Sequence, residues 1–86
     1  MNINELIAIV KNKLEMKIVI QDLKIEDKSF LHKNHKGHQE GKFHLKLIIS
    51  SDELAKTSKI SSTKRIYSIL DLELKEYIHS IQILFN

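Results

Sequence analysis

Four of the five histidines in this chain fall in one stretch, residues 29–51. They are His32, His35 and His38, which are spaced by three, and then His44. Imidazole is a metal ligand and a proton carrier near neutral pH, so this stretch is where the sequence indicates chemistry. The fifth histidine, His79, lies far along the chain in the string IHSIQILF.

The clustered histidines could bind a metal ion unaided. Neutral imidazole suits Zn²⁺, Cu²⁺ and Ni²⁺, but the His-x-x-His-x-x-His spacing is not a standard zinc motif. Both glycines of the chain, Gly37 and Gly41, lie in the same stretch, and a flexible loop loses conformational entropy when it closes around an ion. The residues alone therefore disfavour autonomous metal binding, and solvated histidines without a function are the alternative.

The composition is that of one small globular domain, which we assign to residues 1–86. At 86 residues and 42% hydrophobic content, the chain is too apolar for a disordered segment and too short for two domains. It contains no cysteine, so neither a disulfide nor a thiolate metal site can form within it. The sequence has no nucleophile elbow, no paired carboxylates and no phosphate-binding glycine loop, so we predict that it is not an enzyme and takes no small-molecule substrate.

Charge and apolar patterning indicate the partners and the compartment. The net charge is +3, and much of the excess lies around the histidine stretch, at Lys24, Lys28, Lys33, Lys36, Lys42 and Lys46. Such lysines attract phosphate backbones or an acidic protein, or they simply form a solvated face. Neither a signal peptide nor a run of ~20 apolar residues is present, which predicts no membrane association. With no cysteine and much Ile, Lys and Asn, the sequence suggests a bacterial, cytoplasmic protein.

Periodicity predicts a helix followed by two strands. Residues 3–15 carry apolar side chains at helical spacing, and Asn2 or Asn4 can cap this helix. β-branched residues then indicate a strand covering at least Leu23–Asp27, and strict alternation indicates a second strand over residues 42–50. We expect the two strands to pair antiparallel across a long loop, with His44 on the non-core face of the second strand.

The chain after the second strand is predicted to form a capped helical turn, a second amphipathic helix and a last strand. The helix is predicted to begin near Ile60, with an apolar stripe of Ile66, Ile69, Leu70, Leu74 and Tyr77. Its solvent face is predicted to hold Lys64, Arg65, Asp71, Glu73 and Lys75. Strand periodicity in IHSIQILF places four residues on one face, namely His79, Ile81, Ile83 and Phe85. The order of elements predicts an α+β two-layer sandwich with the helices on one face of a small sheet.

This order, together with several short strings, resembles the BolA family of small proteins. The strings extend over nearly the whole chain: Asp27-Lys28-Ser29, His35-Lys36-Gly37-His38, Phe43-His44, Ser50-Ser51-Asp52, Ile66-Tyr67-Ser68-Ile69-Leu70 and Ile78-His79-Ser80-Ile81. The resemblance implies an αββαβ (BolA-like) fold similar to class II KH domains. It also implies partnership with monothiol glutaredoxins, sometimes through a shared 2Fe-2S cluster, and in some members a role in transcription.

The resemblance implies a ligand role for certain histidines. His79 matches the family's histidine at the start of the last strand and is the first candidate, although strand periodicity alone would make it structural. A second ligand is expected from the loop. The distance from Ser29 favours His32, whereas the His-x-Gly-His string favours His35 and His38, so all three stay candidates. His44 matches a family position too, and is either structural or close to the site.

The absence of cysteine constrains any cluster. A 2Fe-2S cluster needs four ligands, normally thiolates, although histidines can replace two of them on one iron. Because this chain supplies no thiolate, a cluster would have to be shared between chains. In the family picture the missing ligands come from the active-site cysteine of the glutaredoxin and from glutathione, which are the partner and the cofactor set that we expect.

Two departures from the family separate the functional hypotheses. The family's Arg-His-Arg at the start of the long helix is Ser62-Thr63-Lys64 here, and its Phe-x-Gly is Leu54-Ala55-Lys56. The first change argues against DNA contact through that helix. An adaptor for iron–sulfur cluster assembly and trafficking is therefore the first hypothesis, and a DNA-binding transcriptional regulator is the second. A module that binds the glutaredoxin without a cluster is the third.

Overall fold

The computed structural model describes residues 1–29 and 42–86, which form one three-stranded sheet and its covering helices. The elements are α1 (Ile3–Lys17), β1 (Asp22–Asp27), β2 (Phe43–Ser50), α2 (Asp52–Ala55), α3 (Lys59–Ile69), α4 (Asp71–Glu76) and β3 (Ile78–Phe85). The strand order is β1-β2-β3, with β1 antiparallel to β2 and β3 parallel to β2. The predicted α+β architecture and the antiparallel pairing of the first two strands are confirmed.

Helix α1 begins and ends where its sequence provides the means. The Asn2 side chain caps it by accepting a hydrogen bond from the Glu5 backbone N–H at 2.8 Å. Lys17 in the last turn complements the negative end of the helix dipole. The helix buries Leu6, Val10 and Leu14 on its inward face, as the helical spacing predicts. None of the helices in the described part of the chain is long and apolar enough to cross a membrane.

The hydrophobic core lies between the helices and the inner face of the central strand. Leu45, Leu47 and Ile49 of β2 are at most 2% exposed. Apart from Ile78, the inner residues of the two edge strands are only half-buried, since an edge strand has a neighbouring strand on one side only. The other buried hydrophobic residues are Leu6, Val10, Leu14, Ile18, Leu54, Ile66, Leu70 and Ile78.

The second amphipathic region is divided into two helices at Leu70, whose backbone angles (φ −97°, ψ 18°) are not helical. A single helix with Glu73 on its solvent face was the wrong prediction. Glu73 is 3% exposed, and its carboxylate pairs with Lys13 of α1 at 2.7 Å. Glu73 therefore lies on the buried side of α4, where the Lys13 ammonium of α1 compensates its charge.

Candidate histidine site at the heads of strands β2 and β3

The site is created by an irregularity where β3 begins. Phe43 is opposite Ile78, but the next residue of β2, His44, is opposite Ser80. Strand β3 therefore contains one additional residue, His79, in the manner of a β-bulge. Before the bulge Ile78 is buried, and after it the inward residues are Ile81 and those two positions apart from it. The prediction that His79 shares the inner face with Ile81 is therefore wrong, because the bulge shifts the alternation.

His44 is fixed by hydrogen bonds from two sides. Its ring Nδ1 lies 2.6 Å from the Ser80 Oγ, and its backbone N–H donates to the Ser29 Oγ at 3.0 Å. Its carbonyl accepts from the Lys28 backbone N–H at 2.7 Å. The residue is 5% exposed. The predicted face of the strand is correct, but that face is covered at this position, and His44 is a buried, oriented imidazole.

His79 stands beside His44 and is exposed. The two ring centroids are 5.0 Å apart, and the ring planes are tilted by 48°. The His44 imidazole is thus surrounded by protein, whereas the His79 imidazole on the adjacent strand is exposed to solvent. A histidine in this position can bind a metal ion or a partner, and because its backbone is fixed in a strand, less entropy is lost than for a histidine on a flexible loop.

The outer face of the sheet beside His44 is electropositive. A shallow pocket of about 340 Å³ is lined by residues that include Lys28, His44, Lys46 and Ser80. The Lys28 ammonium hydrogen-bonds to Glu26 at 3.3 Å and is the main cause that holds the pKa of that carboxyl below its ordinary value, with Lys24 adding to the effect. Three lysines, Lys24, Lys28 and Lys46, lie around the carboxylate of Glu26. This excess of positive charge favours anionic groups at this face.

The structure brings together two of the histidines that the sequence singled out. His44 and His79 are neighbours, although 35 residues separate them in the chain. The predictions for His32, His35 and His38 fall outside the described residues. Within residues 1–29 and 42–86, no three His, Cys, Asp or Glu residues are placed to hold a metal ion. As a donor set, the described site offers imidazoles and no thiolate, which fits a partial ligand set for a cluster and not a complete one.

Two serines of the site were not identified from the sequence. Ser80 contacts the His44 ring and Ser29 contacts its backbone, but serine is common on exposed strands and loops. The only signal was position: Ser80 directly follows His79, and Ser29 directly precedes the histidine stretch. Recognising them required the register of three strands, which local periodicity does not contain.

The first turns of α3, where this chain has Ser62-Thr63-Lys64, have a structural role. Ser62 is 2% exposed, and its hydroxyl donates to the Leu54 carbonyl at 3.2 Å and lies 2.8 Å from the Thr57 hydroxyl. Arg65 pairs with Glu53 and donates to the Lys17 carbonyl at 2.8 Å. These side chains hold α2, α3 and the end of α1 together, so Arg65 is engaged within the protein. Lys59 and Lys64 remain exposed on α3.

A three-stranded sheet in the order β1-β2-β3, with the core and the helices on one of its faces, places the chain in a class of small α+β domains. Within that class, the BolA-like protein family matches residues 14–85. The chain therefore belongs to the BolA-like family.

Sequence and structural relatives agree with this assignment. The chain is 30% identical over 73 residues to the DNA-binding transcriptional regulator BolA of Haemophilus influenzae, covering 85% of this chain and 68% of that protein. It is also 30% identical over 79 residues to SufE-like protein 1 of Arabidopsis thaliana, of which it spans only 21%.

Solved structures show the same fold. The BolA domain of SufE1 from Arabidopsis thaliana superposes with a TM-score of 0.77 at 30% identity, over 92% of this chain and 87% of that one. BolA1 from the same plant superposes with a TM-score of 0.75 at 23% identity, over 91% and 86% of the two chains. The three strands and their helices are thus arranged as in other BolA domains.

Proposed function

We propose that this protein is a cytoplasmic adaptor that binds a monothiol glutaredoxin and contributes histidine to a shared 2Fe-2S cluster. In this role it is not an enzyme, and the cluster is its cargo. The glutaredoxin cysteine and glutathione would supply the thiolates. His79, and one of His32, His35 and His38, would supply the imidazole from this chain.

One observation carries the proposal. At a strand bulge, the ring centroid of the exposed His79 lies 5.0 Å from the ring centroid of the buried His44. A ligand to a cluster between two chains has to be accessible to the partner and yet oriented. His79 meets the first requirement by its exposure, and the second because it lies in a strand beside a fixed ring. His44 is a positioning residue in this proposal, because its Nδ1 is engaged by Ser80 and it is almost wholly buried.

The test mixes the protein with a cluster-loaded monothiol glutaredoxin and glutathione, and records visible absorption and circular dichroism. We expect a one-to-one complex with a spectrum different from that of the glutaredoxin alone. His79→Ala should abolish this difference, and one of the three single loop variants at positions 32, 35 and 38 should reduce it. Leu84→Ala is the matched control, since Leu84 is also exposed on β3 and does not line the pocket beside His44. An unchanged spectrum with His79→Ala would rule out His79 as a ligand, and the absence of any complex would overturn the adaptor.

The name of the Haemophilus influenzae relative favours a second candidate, DNA binding. The exposed Lys59 and Lys64 on α3 would contact phosphates in this case. Binding to duplex DNA should then fall steeply with salt, and Lys64→Glu should weaken it and flatten the salt dependence. Equal binding by the variant and the wild type would remove α3 as the DNA contact.

A further inference from the structure

Strand β3 has an outer edge that no other strand of the described chain covers. The Asn86 backbone N–H donates to the Ile49 carbonyl of β2 at 2.9 Å. Because N–H and C=O groups alternate in direction along a strand, the even-numbered residues of β3 after the bulge bond to β2. Ile81, Ile83 and Phe85 therefore direct their backbone N–H and C=O groups away from the sheet.

The two edges of the sheet differ in how they are protected. Strand β1 carries four charged residues among its six, namely Asp22, Lys24, Glu26 and Asp27. Strand β3 is longer and has no Asp, Glu, Lys, Arg or Pro among its eight residues. Charged side chains, proline and short length are the usual means by which edge strands avoid pairing with other chains. The edge of β1 has such protection, and the edge of β3 lacks it.

The side chains along the β3 edge also leave apolar surface uncovered. Ile81, Ile83 and Phe85 point toward the core but are only half-buried, while the β2 residues opposite them are almost completely buried. On the other face Leu84 is 40% exposed. An additional strand beside β3 would cover apolar area on both faces, in addition to the unpaired backbone groups.

We propose that this edge pairs with the same edge of a second copy of the chain, antiparallel, to give a continuous six-stranded sheet. The outward-directed residues fix a symmetric register, in which Ile83 is opposite Ile83 of the second copy and Ile81 is opposite its Phe85. This register gives about six backbone hydrogen bonds. The contact is isologous, so it closes as a dimer and does not propagate.

The chemistry of the strand favours a second copy over a charged partner. The segment contributes no formal charge that would attract an acidic or basic chain, and none that would repel its own copy. Its apolar side chains match themselves across the symmetric register, as Ile83 meets Ile83 and Ile81 meets Phe85. The charged β1 edges lie at the two far sides of the six-stranded sheet and end it.

The test measures the mass of the chain alone, by light scattering and sedimentation, from micromolar to millimolar concentration. We expect a shift from one chain to two as the concentration rises. The double variant Gln82→Lys/Leu84→Lys places lysines across the symmetric contact, at positions that are exposed in the single chain, and should remain a monomer. Met16→Lys/Ile60→Lys changes the charge equally at exposed apolar positions elsewhere, and should dimerise like the wild type.

A wild-type chain that stays a monomer at millimolar concentration would overturn the proposal. A dimer that persists in the Gln82→Lys/Leu84→Lys variant would overturn it as well, because the contact would then lie elsewhere. Neither experiment contains a glutaredoxin or a cluster, so failure here is distinguishable from failure of the proposed function.

The register has its own test, because introduced cysteines are the only thiols in this chain. In the symmetric register Gln82 is opposite Leu84 of the second copy, with Cα atoms about 4.5 Å apart, which a disulfide can span. Gln82→Cys/Leu84→Cys should form a covalent dimer under mild oxidation much faster than the exposed single variant Met16→Cys. Equal rates of cross-linking would contradict the register.

Discussion

Strand β2 is held by different means at its two ends. At its carboxyl end, the Ser51 hydroxyl donates to the Val19 carbonyl at 2.8 Å and caps α2 by accepting from the Leu54 N–H. Glu53 accepts from the Val19 N–H at 3.1 Å and pairs with Arg65. At its amino end, two serine hydroxyls hold His44, and His79 stands beside it at a bulge.

Under the proposed function, this difference separates a structural end of the domain from a ligand-presenting one. The carboxyl end satisfies backbone groups and charges within the protein, and its side chains connect elements that lie far apart in the sequence. At the amino end, one imidazole is buried and hydrogen-bonded, and the imidazole beside it is exposed to solvent. Substitutions at the carboxyl end should therefore change stability alone, whereas those at the amino end should separate stability from binding.

The largest effect is expected for His44→Ala. Removing a ring that is 5% exposed leaves a cavity and takes the Ser80 hydroxyl's partner away, so the free energy of unfolding should fall by about 2–3 kcal/mol. His79→Ala is the matched control, and because His79 is exposed it should cost less than about 0.5 kcal/mol. Urea denaturation measures both. Equal losses for the two variants would contradict the division into a buried ring at position 44 and an exposed one at position 79, on which the proposed ligand role of His79 rests.

A smaller effect is expected for Ser51→Ala at the opposite end. The variant loses the helix cap of α2 and the hydrogen bond to the Val19 carbonyl, and we expect the unfolding free energy to fall by about 1–2 kcal/mol. The spectrum of a cluster-containing complex should not change. Ser50→Ala, one residue earlier on the outer face of β2, is the control and should be nearly neutral. A spectral change in Ser51→Ala would show that the two ends are coupled.

The smallest effect is expected from protonation of Glu53. The hydrogen bond from the Val19 N–H, followed by the one from Arg65, holds the pKa of Glu53 below its ordinary value. The Glu53 carboxylate therefore binds a proton more readily in the unfolded chain than in the folded protein. Its contribution to the free energy of unfolding is present above the ordinary pKa of a glutamate and is lost as the pH falls through the lower pKa of the folded state. Glu53→Gln should be less stable than the wild type at neutral pH, and this difference should shrink in acid.

Chemical denaturation at a series of pH values measures the Glu53 effect. Glu76→Gln, which changes an exposed carboxylate on α4, is the control and should follow the wild type. A gap between Glu53→Gln and the wild type that stays constant from neutral to acid pH would contradict the role given to the Glu53 carboxylate.

Local patterns predicted the elements well and their irregularities poorly. The apolar spacing of α1 and the alternation of β2 were correctly interpreted, because each depends only on neighbours within a few residues. The bulge at His79, the break at Leu70 and the burial of Glu73 were not predicted. The bulge depends on the pairing of β3 with β2, and the burial of Glu73 depends on Lys13 of α1, which pairs with its carboxylate.

The sequence by itself determined the fold class, the membership of the BolA-like family and the histidines worth examining. Hydrophobic period and residue type are properties of a chain segment, so they can be read without the fold. The tertiary structure decided which histidine is buried and which is exposed, and that His44 and His79 are neighbours. Those facts follow from the strand register, which is set by the packing of all three strands together and not by any one of them.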